Sequence, residues 1–292
     1  MLDARIARLH TGHRLRVWSI VVTVFGDAVM PRGGTIAATA LQEITARLRV
    51  EPGAMRVALS RLVGDGWLVR RRIGRRSFYR LTEDSANQVM AASRRIYAPE
   101  PAPTDDRCEV AVIENGTPGR RDRQHDALVS AGFVPIDGGA YVRSQGSATP
   151  PLDHPTDEVF ILEGSLGRIP AWVRTKLSPP EIAAAYETLI DDYTPLAVTL
   201  SNETSLSPHD AMTARTLLIH DWRRVLLRDH DLPATFRADG WPGARAGRLV
   251  RALYARLLPA SERWLDSCAG GEKGELPPAD RSLLERFGGA AR

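Results

Sequence analysis

The chain of 292 residues contains only two cysteines, Cys108 and Cys268, which stand far apart and lack the spacing of metal ligands. Neither a disulfide framework nor a cysteine-based zinc site is therefore expected. Because scarce, unpaired cysteines are typical of reducing compartments, the composition favours a cytoplasmic protein. The sequence predicts no metal or other cofactor.

Long apolar runs are also missing. The apolar run at residues 17–25 is far shorter than the ~20 residues that a membrane-spanning helix needs. A signal peptide cleaved near residues 38–40 would exceed the usual ~15–30 residues. We therefore expect no membrane partner. The run instead predicts a packed helix with an apolar stripe of Val17, Ile20, Val21 and Val24.

Acidic residues are scarce in the first third of the chain. Residues 1–100 contain seventeen arginines and eight acidic residues, a balance of +9. Because the formal net charge of the whole chain is +4, the remainder sums to −5. Such an asymmetry is expected when one domain contacts a polyanion and the others do not.

Residues 39–82 predict two short helices followed by a hairpin. Thr39 and Gln42 have the spacing of a capping box at the start of the first helix. Pro52 suits the first position of the second helix, because its missing N–H would be unpaired there anyway. The inward stripe of the second helix is predicted to be Met55, Ala58, Leu59 and Leu62.

The second helix and the hairpin predict a double-stranded DNA interface. Arginine can read guanine edges in the major groove, and a small hydroxyl can reach a base or a phosphate. The helix is predicted to present Arg56, Ser60 and Arg61 to DNA. The hairpin is predicted to contact the DNA backbone through Arg71, Arg72, Arg75, Arg76 and Ser77. This arrangement is typical of a winged helix-turn-helix domain.

A proline-rich segment at residues 98–103 is expected to end this domain, because proline fixes φ and lacks a backbone donor. The winged helix-turn-helix domain is accordingly predicted at residues 1–98. Residues 105–177 alternate strand and helix patterns, with a hairpin signal at Asp137–Gly139. They predict a central ferredoxin-like domain.

Residues 178–270 predict a helical C-terminal domain. Ser178 and Ser207 each precede a proline and an acidic residue, which is typical of capped helix starts. Residues 271–292 are expected to form a flexible tail. The predicted fold class is therefore α+β.

Motifs along most of the chain resemble the PaaX family of transcriptional regulators. In the first third the resemblance rests on Val24–Asp27, Arg56–Val63 and Gly74–Ser77, and near the other end on Ala214–Arg224 and Trp241–Gly243. It implies a homodimeric repressor with a winged helix, a central domain resembling the fold of Cas2 and a helical C-terminal domain. The name-giving members repress genes for phenylacetate catabolism and are released from DNA by phenylacetyl-CoA. A small-molecule effector of the acyl-CoA class is therefore expected.

Four residues near the C-terminal motifs are the predicted effector contacts. A CoA thioester is acidic and needs cationic or forked donors for its phosphates. The predicted contacts are Arg215, His220, Arg223 and Trp241. Ordinary salt bridges between helices remain an alternative explanation for each arginine.

Two other function classes stay open. Histidine precedes aspartate at His125, His209, His220 and His230, which suggests a metal-dependent phosphohydrolase. Metal ligands must converge in space, however, and nothing in the spacing shows convergence. Winged helices also serve as protein-interaction domains without a DNA role. We predict a regulator rather than an enzyme, with no catalytic residue.

Overall fold

The computed structural model describes residues 2–11, 16–99, 107–114, 116–144, 159–165, 167–201 and 206–289. It contains helices and two small antiparallel sheets, so the predicted α+β class is confirmed. The chain folds into two compact units. The first contains Met1–Glu100, Thr188–Arg224 and Arg245–Arg292, and the second contains Pro101–Glu187 and Val225–Ala244. Most of the proline-rich segment lies outside the described residues.

The helices are α1 (Leu2–Thr11), α2 (Val17–Val24), α3 (Ala38–Ala46), α4 (Pro52–Gly64), α5 (Glu83–Ile96), α6 (Pro118–Ser130), α7 (Ala171–Lys176), α8 (Pro180–Ser201), α9 (Pro208–Leu226), α10 (Gly243–Ser267) and α11 (Arg281–Leu284). The strands are β1 (Thr35–Ala37), β2 (Leu68–Ile73), β3 (Arg76–Leu81), β4 (Arg107–Ile113), β5 (Val134–Asp137), β6 (Ala140–Ser144) and β7 (Val159–Ser165). None of the helices in the described ranges has both the length and the apolar character that a bilayer crossing requires.

Helix α2 lies at the centre of the first unit's core. Ile20, Val21 and Val24 are buried as predicted, and α2 packs against α4. After Val24 the helix widens into a five-residue π-helical segment, Phe25–Val29. π-helical segments frequently occur at functional sites. This segment carries the buried Asp27.

The capping box predicted at the start of α3 is wrong. Helix α3 begins at Ala38, directly after β1, and no side chain caps its N-terminus. Thr39 therefore lies inside the first turn rather than before it. Gln42 donates from Nε2 to the carbonyl oxygen of Val50 at 3.0 Å, which ties α3 to the turn before α4.

The cap predicted at Ser207 is confirmed. Oγ of Ser207 accepts a hydrogen bond from the N–H of Asp210 at 3.1 Å. Ser178 precedes α8, and its Oγ accepts a hydrogen bond from the N–H of Ala238 at 2.8 Å. Ser178 thus links two segments of the second unit.

The second unit contains a four-stranded antiparallel sheet in the order β5-β6-β4-β7. The predicted hairpin is confirmed, since β5 ends at Asp137 and β6 begins at Ala140. Gly139 has φ +88°, and a Cβ there would lie 2.9 Å from the carbonyl oxygen of Ile113. Only glycine therefore fits this turn without strain.

Residues 271–289, part of the segment predicted as a tail, pack within the first unit. They contain α11 and bury Leu276 and Leu283. The N–H of Asp280 donates to the carbonyl oxygen of Pro31 at 2.7 Å. The C-terminal segment therefore contributes to the same core as the N-terminal helices.

Candidate nucleic-acid interface

The interface begins with the turn between α3 and α4. Arg49 in this turn has a left-handed backbone, φ 58°, and Pro52 opens α4 as predicted. Helix α4 buries its predicted stripe, Met55, Ala58, Leu59 and Leu62. Because these four side chains anchor one face in the core, the orientation of the opposite face is fixed.

The opposite face of α4 presents the predicted reading residues. Arg56, Ser60 and Arg61 are all exposed. Nε of Arg61 lies 3.3 Å from Oδ2 of Asp65, one turn later on the same helix. Val57, the residue after Arg56, is apolar and 70% exposed. Sequence reasoning missed Val57, although an apolar side chain of this kind can contact the methyl group of thymine.

The hairpin has two faces of different character. Successive side chains of β2 point to opposite faces of the hairpin. One face carries Leu68, Arg70 and Arg72, and the other carries Val69, Arg71 and Ile73. Leu68 is buried in the core, so Arg70 and Arg72 continue the core-side face toward the tip of the hairpin. Nε and Nη2 of Arg70 lie 3.2 and 2.9 Å from Oγ of Ser77 on β3. Sequence reasoning missed Arg70, although the strict alternation with Leu68 could have identified it.

The other face of the hairpin contacts the C-terminal segment at two arginines. Nη1 of Arg71 lies 3.3 Å from Oε1 of Glu272, and Arg76 donates to the carbonyl oxygen of Ala269. The N–H of Ala37 donates to the carbonyl oxygen of Gly270 at 2.8 Å, which extends this contact to β1. The predicted contacts Arg71 and Arg76 therefore already have intramolecular partners.

The tip of the hairpin is a two-residue turn. Gly74 has φ 58°, and the next residue, Arg75, is exposed. Arg72 donates from Nε to the carbonyl oxygen of Gly74 at 3.1 Å. Residues 68–82 hold six arginines and no acidic residue. The hairpin as a whole is therefore a strongly cationic projection, suited to a polyanion.

Arg215, predicted as an effector contact, lies completely buried on α9. Its Nε donates to Oδ2 of Asp27 at 2.7 Å, and its Nη2 donates to the carbonyl oxygen of the same residue at 3.1 Å. Nη1 donates to Oγ of Ser261 at 3.1 Å and also pairs with Glu262. The guanidinium is therefore held by the protein itself.

Asp27 is the centre of this polar cluster. Its Oδ1 accepts hydrogen bonds from the hydroxyl groups of Tyr97 and Tyr254 at 2.7 and 3.0 Å, and from Nη1 of Arg286 at 2.8 Å. Burial alone would raise the pKa of this carboxyl, but the charges of Arg215 and Arg286 outweigh burial and hold the pKa below its ordinary 3.8. Asp27 therefore stays ionised, and its carboxylate bonds four side chains of the first unit, Tyr97, Arg215, Tyr254 and Arg286.

His220 and Arg223 join α9 to α2. Nδ1 of His220 lies 3.1 Å from Oγ1 of Thr23, which also accepts a hydrogen bond from Nε of Arg223 at 2.8 Å. Nη2 of Arg223 donates to the backbone oxygen of Ser19 at 2.9 Å. Burial, together with the charge of Arg223, lowers the pKa of His220 from 6.5 to about 3. His220 is therefore neutral and serves as a packed link between helices.

Trp241, the fourth predicted effector contact, belongs to the second unit. The guanidinium carbon of Arg237 lies 4.9 Å from the centre of its ring, and the ring of Tyr186 meets it edge-on at 6.1 Å. Arg237 and Tyr186 both bond Asp229, at 2.7 and 3.0 Å. Asp27, in contrast, belongs to the first unit.

The histidine-aspartate pairs have separate surroundings. Nδ1 of His125 lies 3.0 Å from the hydroxyl of Tyr141, whereas the ring of His209 stacks on Trp264. Within the described ranges, no group of three or more histidine, cysteine, aspartate or glutamate side chains is placed to hold a metal ion.

Comparisons with known proteins match this architecture. Residues 16–85 match a family described as PaaX-like protein, and residues 178–267 match one described as PaaX-like protein C-terminal domain. The Transcriptional repressor PaaX of Escherichia coli (strain K12) is 30% identical over 283 residues, which cover 93% of this chain and 90% of that protein. The solved structure of the uncharacterized protein Rv0674 from Mycobacterium tuberculosis superposes with a TM-score of 0.52 at 21% identity, over 83% of this chain and 97% of that one, which shows a shared fold. The two matched segments and the similarity to the Escherichia coli protein show that the chain belongs to the PaaX family.

Proposed function

We propose that this protein is a DNA-binding transcriptional repressor whose helix α4 reads its operator. The observation that carries the proposal is the exposed face of α4, Arg56, Ser60 and Arg61, on a helix whose opposite face is fixed in the core. The similar protein from Escherichia coli is named a transcriptional repressor, in agreement with this role.

The proposed domain is a winged helix-turn-helix at residues 1–98. Helices α3 and α4 form the helix-turn-helix, and the hairpin β2-β3 forms the wing. In such domains the second helix enters the major groove and reads base edges. The wing then contributes affinity through phosphate contacts. Arg71 and Arg76 bond the C-terminal segment, whereas Arg70, Arg72, Arg75 and Arg80 are exposed.

The four-stranded sheet supports a ferredoxin-like central domain resembling Cas2. Its order β5-β6-β4-β7 places the first and third strands side by side at the centre, with α6 between the first and second strands in the chain. The ferredoxin-like fold has the same strand order. We propose that this domain comprises residues 105–177 and that it follows the DNA-binding domain and precedes a helical domain at residues 178–270 in the sequence.

The repressor is proposed to act as a homodimer and to be released by a small effector, with acyl-CoA thioesters as the first class to test. A symmetric dimer would bind a palindromic operator, because each protomer would read one half-site. The effector binds the conformation that does not bind DNA more tightly than the one that does. By linkage, this difference in effector affinity sets the largest factor by which the effector can weaken DNA binding.

Selection of genomic fragments tests the function. The purified protein is incubated with sheared genomic DNA, with and without phenylacetyl-CoA, and bound fragments are sequenced. Enrichment of a palindromic site that the thioester abolishes is the expected result. Enrichment that ignores the thioester would keep the repressor and reject this effector, whereas no enrichment would favour a protein-interaction role.

A further inference from the structure

A cavity lies in the first unit, between helix α10 and the turn that follows α11. Its volume is about 240 Å³. Its lining combines small and apolar side chains with two arginines and a tyrosine. The lining residues are Arg251, Ala252, Tyr254, Ala255, Leu258, Leu283, Arg286, Phe287 and Gly289. Among these described residues there is no acidic side chain; Arg286 is already paired with Asp27, and Arg251 is the other lining cation. The cavity therefore suits an apolar group attached to an anion.

We propose that this cavity binds the apolar acyl or aryl group of an anionic effector, and that the arginines of α10 bind the anionic part. The inference rests on the proposed effector-controlled repressor. It assigns the effector to residues other than Arg215, His220, Arg223 and Trp241.

The size of the cavity limits what enters it. Pockets that enclose drug-sized ligands begin at about 300 Å³. A cavity of about 240 Å³ therefore accommodates a ring or a short acyl chain, but not a whole acyl-CoA. The remainder of such a ligand must lie along the adjacent surface.

A row of arginines follows the same helix away from the cavity. Arg245 and Arg248 are exposed and Arg251 is half-buried, at intervals of three residues on α10. At 1.5 Å of rise per residue the row is about 9 Å long. Arg251 lines the cavity, so the row begins at the cavity and extends toward the N-terminus of α10. Guanidinium groups at this spacing suit successive phosphate oxygens, which they bind with charge-assisted hydrogen bonds.

The wall of the cavity is connected to the DNA-binding domain. Tyr254 and Arg286 line the cavity and both bond Oδ1 of Asp27. Asp27 lies three residues after the end of α2, the helix that packs against α4. A ligand that displaces either side chain would therefore change the support behind the reading helix.

The turn that closes the cavity has an unusual backbone. Phe287 has φ 57°, a left-handed conformation that is rare for an aromatic residue. Its N–H donates to the carbonyl oxygen of Tyr97 at 2.7 Å, and its ring meets the rings of Tyr97 and Tyr254 edge-on. Strained residues of this kind cluster at ligand clamps and switch regions. The turn is thus placed to respond to the occupant of the cavity.

The test measures binding to the full-length protein without DNA, so that it does not depend on the operator. Equilibrium dialysis compares three probes: phenylacetyl-CoA, CoA and phenylacetate. The proposal predicts that phenylacetyl-CoA binds better than either fragment, because only the whole thioester fills both parts of the site. Stronger binding of phenylacetate than of the thioester would overturn the role of the arginine row.

Three substitutions on α10 locate the site. Ala255→Trp fills the cavity from an exposed position and is expected to weaken phenylacetyl-CoA binding at least about tenfold, since the cavity no longer admits the ring. Arg248→Ala is expected to weaken the same binding by about tenfold through loss of one charge-assisted contact. Arg263→Ala, which removes an exposed arginine of the same helix outside the cavity lining, is the matched control and should have no effect.

Circular dichroism and thermal melting check that each variant folds. Ala252→Trp is a second variant that fills the cavity, from another exposed position. Unchanged phenylacetyl-CoA binding in both tryptophan variants would overturn the proposal, as would the absence of binding by all three probes. If the site is confirmed but no DNA is selected, the cavity assignment stands and the repressor function fails.

Discussion

Nε of Arg215 donates to Oδ2 of Asp27 at 2.7 Å, and both side chains are almost completely inaccessible to solvent. The two residues are 188 positions apart in the chain, so this ion pair joins the end of α2 to helix α9. Arg32 extends the cluster, since its Nη2 lies 2.6 Å from Oε2 of Glu262, the second acidic partner of Arg215. The C-terminal helices are thereby built into the same core as α2 and α4.

Removal of Arg215 tests the structural importance of this cluster. Arg215→Met should lower the free energy of unfolding by about 3–5 kcal/mol, because it leaves the buried charge of Asp27 with one fewer partner. Urea unfolding monitored by circular dichroism measures the change. The control is Arg281→Ala, which breaks an exposed pair with Glu285 and should cost about 0–1 kcal/mol. Equal effects of the two variants would mean that the buried pair is not a structural link.

His220 predicts a specific dependence of stability on pH. Its pKa is about 3 in the folded protein and 6.5 ordinarily, so below pH 6.5 the unfolded chain binds a proton that the folded chain does not. Its contribution to stability is therefore complete above pH 6.5 and is lost as the pH falls toward 3.

The matching variant is His220→Gln. Between pH 6.5 and 4 the free energy of unfolding of this variant should fall less steeply than that of the original protein, by up to about 1.4 kcal/mol per pH unit. Denaturant unfolding at several pH values measures both slopes. Parallel curves for the two proteins would show that His220 is not buried in its neutral form.

The two faces of the wing should contribute differently to DNA binding. Arg75→Ala should weaken binding to all DNA alike and reduce the slope of log K against log salt by about 0.9, the value for one phosphate contact. Arg71→Ala should have a smaller effect, because Glu272 already lies 3.3 Å from its guanidinium. Fluorescence anisotropy at several salt concentrations gives the slopes.

Glu272→Gln supplies the reverse control, since it leaves Arg71 without that acidic partner and should strengthen binding to random DNA. A larger loss for Arg71→Ala than for Arg75→Ala would contradict the assignment of the two faces.

The C-terminal segment that contacts Arg71 and Arg76 contains a tight turn at Gly271. A Cβ at Gly271 would lie 2.0 Å from the carbonyl oxygen of Glu275, and backbone cannot move aside cheaply. Gly271→Ala should therefore destabilise the protein by more than about 1 kcal/mol. Gly64→Ala, at the last residue of α4, meets no atom within 4 Å and should stabilise it by up to about 1 kcal/mol. Thermal melting of both variants measures the result: the melting temperature should fall for Gly271→Ala and rise for Gly64→Ala.

Local patterns predicted the helices and the hairpin well. The stripe Met55, Ala58, Leu59 and Leu62 defined α4 because helical periodicity reports which face is buried. The hairpin turn at Asp137–Gly139 followed from turn chemistry. The capping box failed because β1 continues directly into α3, and a pattern of two residues does not report how the preceding strand enters the helix.

Long-range relationships could not be predicted in the same way. Arg215 was expected to face an effector, but its partner Asp27 is too distant in sequence for periodicity or spacing to reveal the pair. The contacts of Arg71 and Arg76 with the C-terminal segment could not be predicted for the same reason. Their partners Glu272 and Ala269 lie about two hundred residues further along the chain. These contacts depend on tertiary packing, whereas the outward face of α4 depends only on its own sequence.

The most direct test of the central claim is the effect of Arg56→Ala on sequence discrimination. Anisotropy titrations compare the selected operator with a random duplex of equal length at one salt concentration. We predict that the variant loses about 1–3 kcal/mol of affinity for the operator and much less for the random duplex. Equal losses on both duplexes would contradict the proposal that α4 reads the DNA sequence.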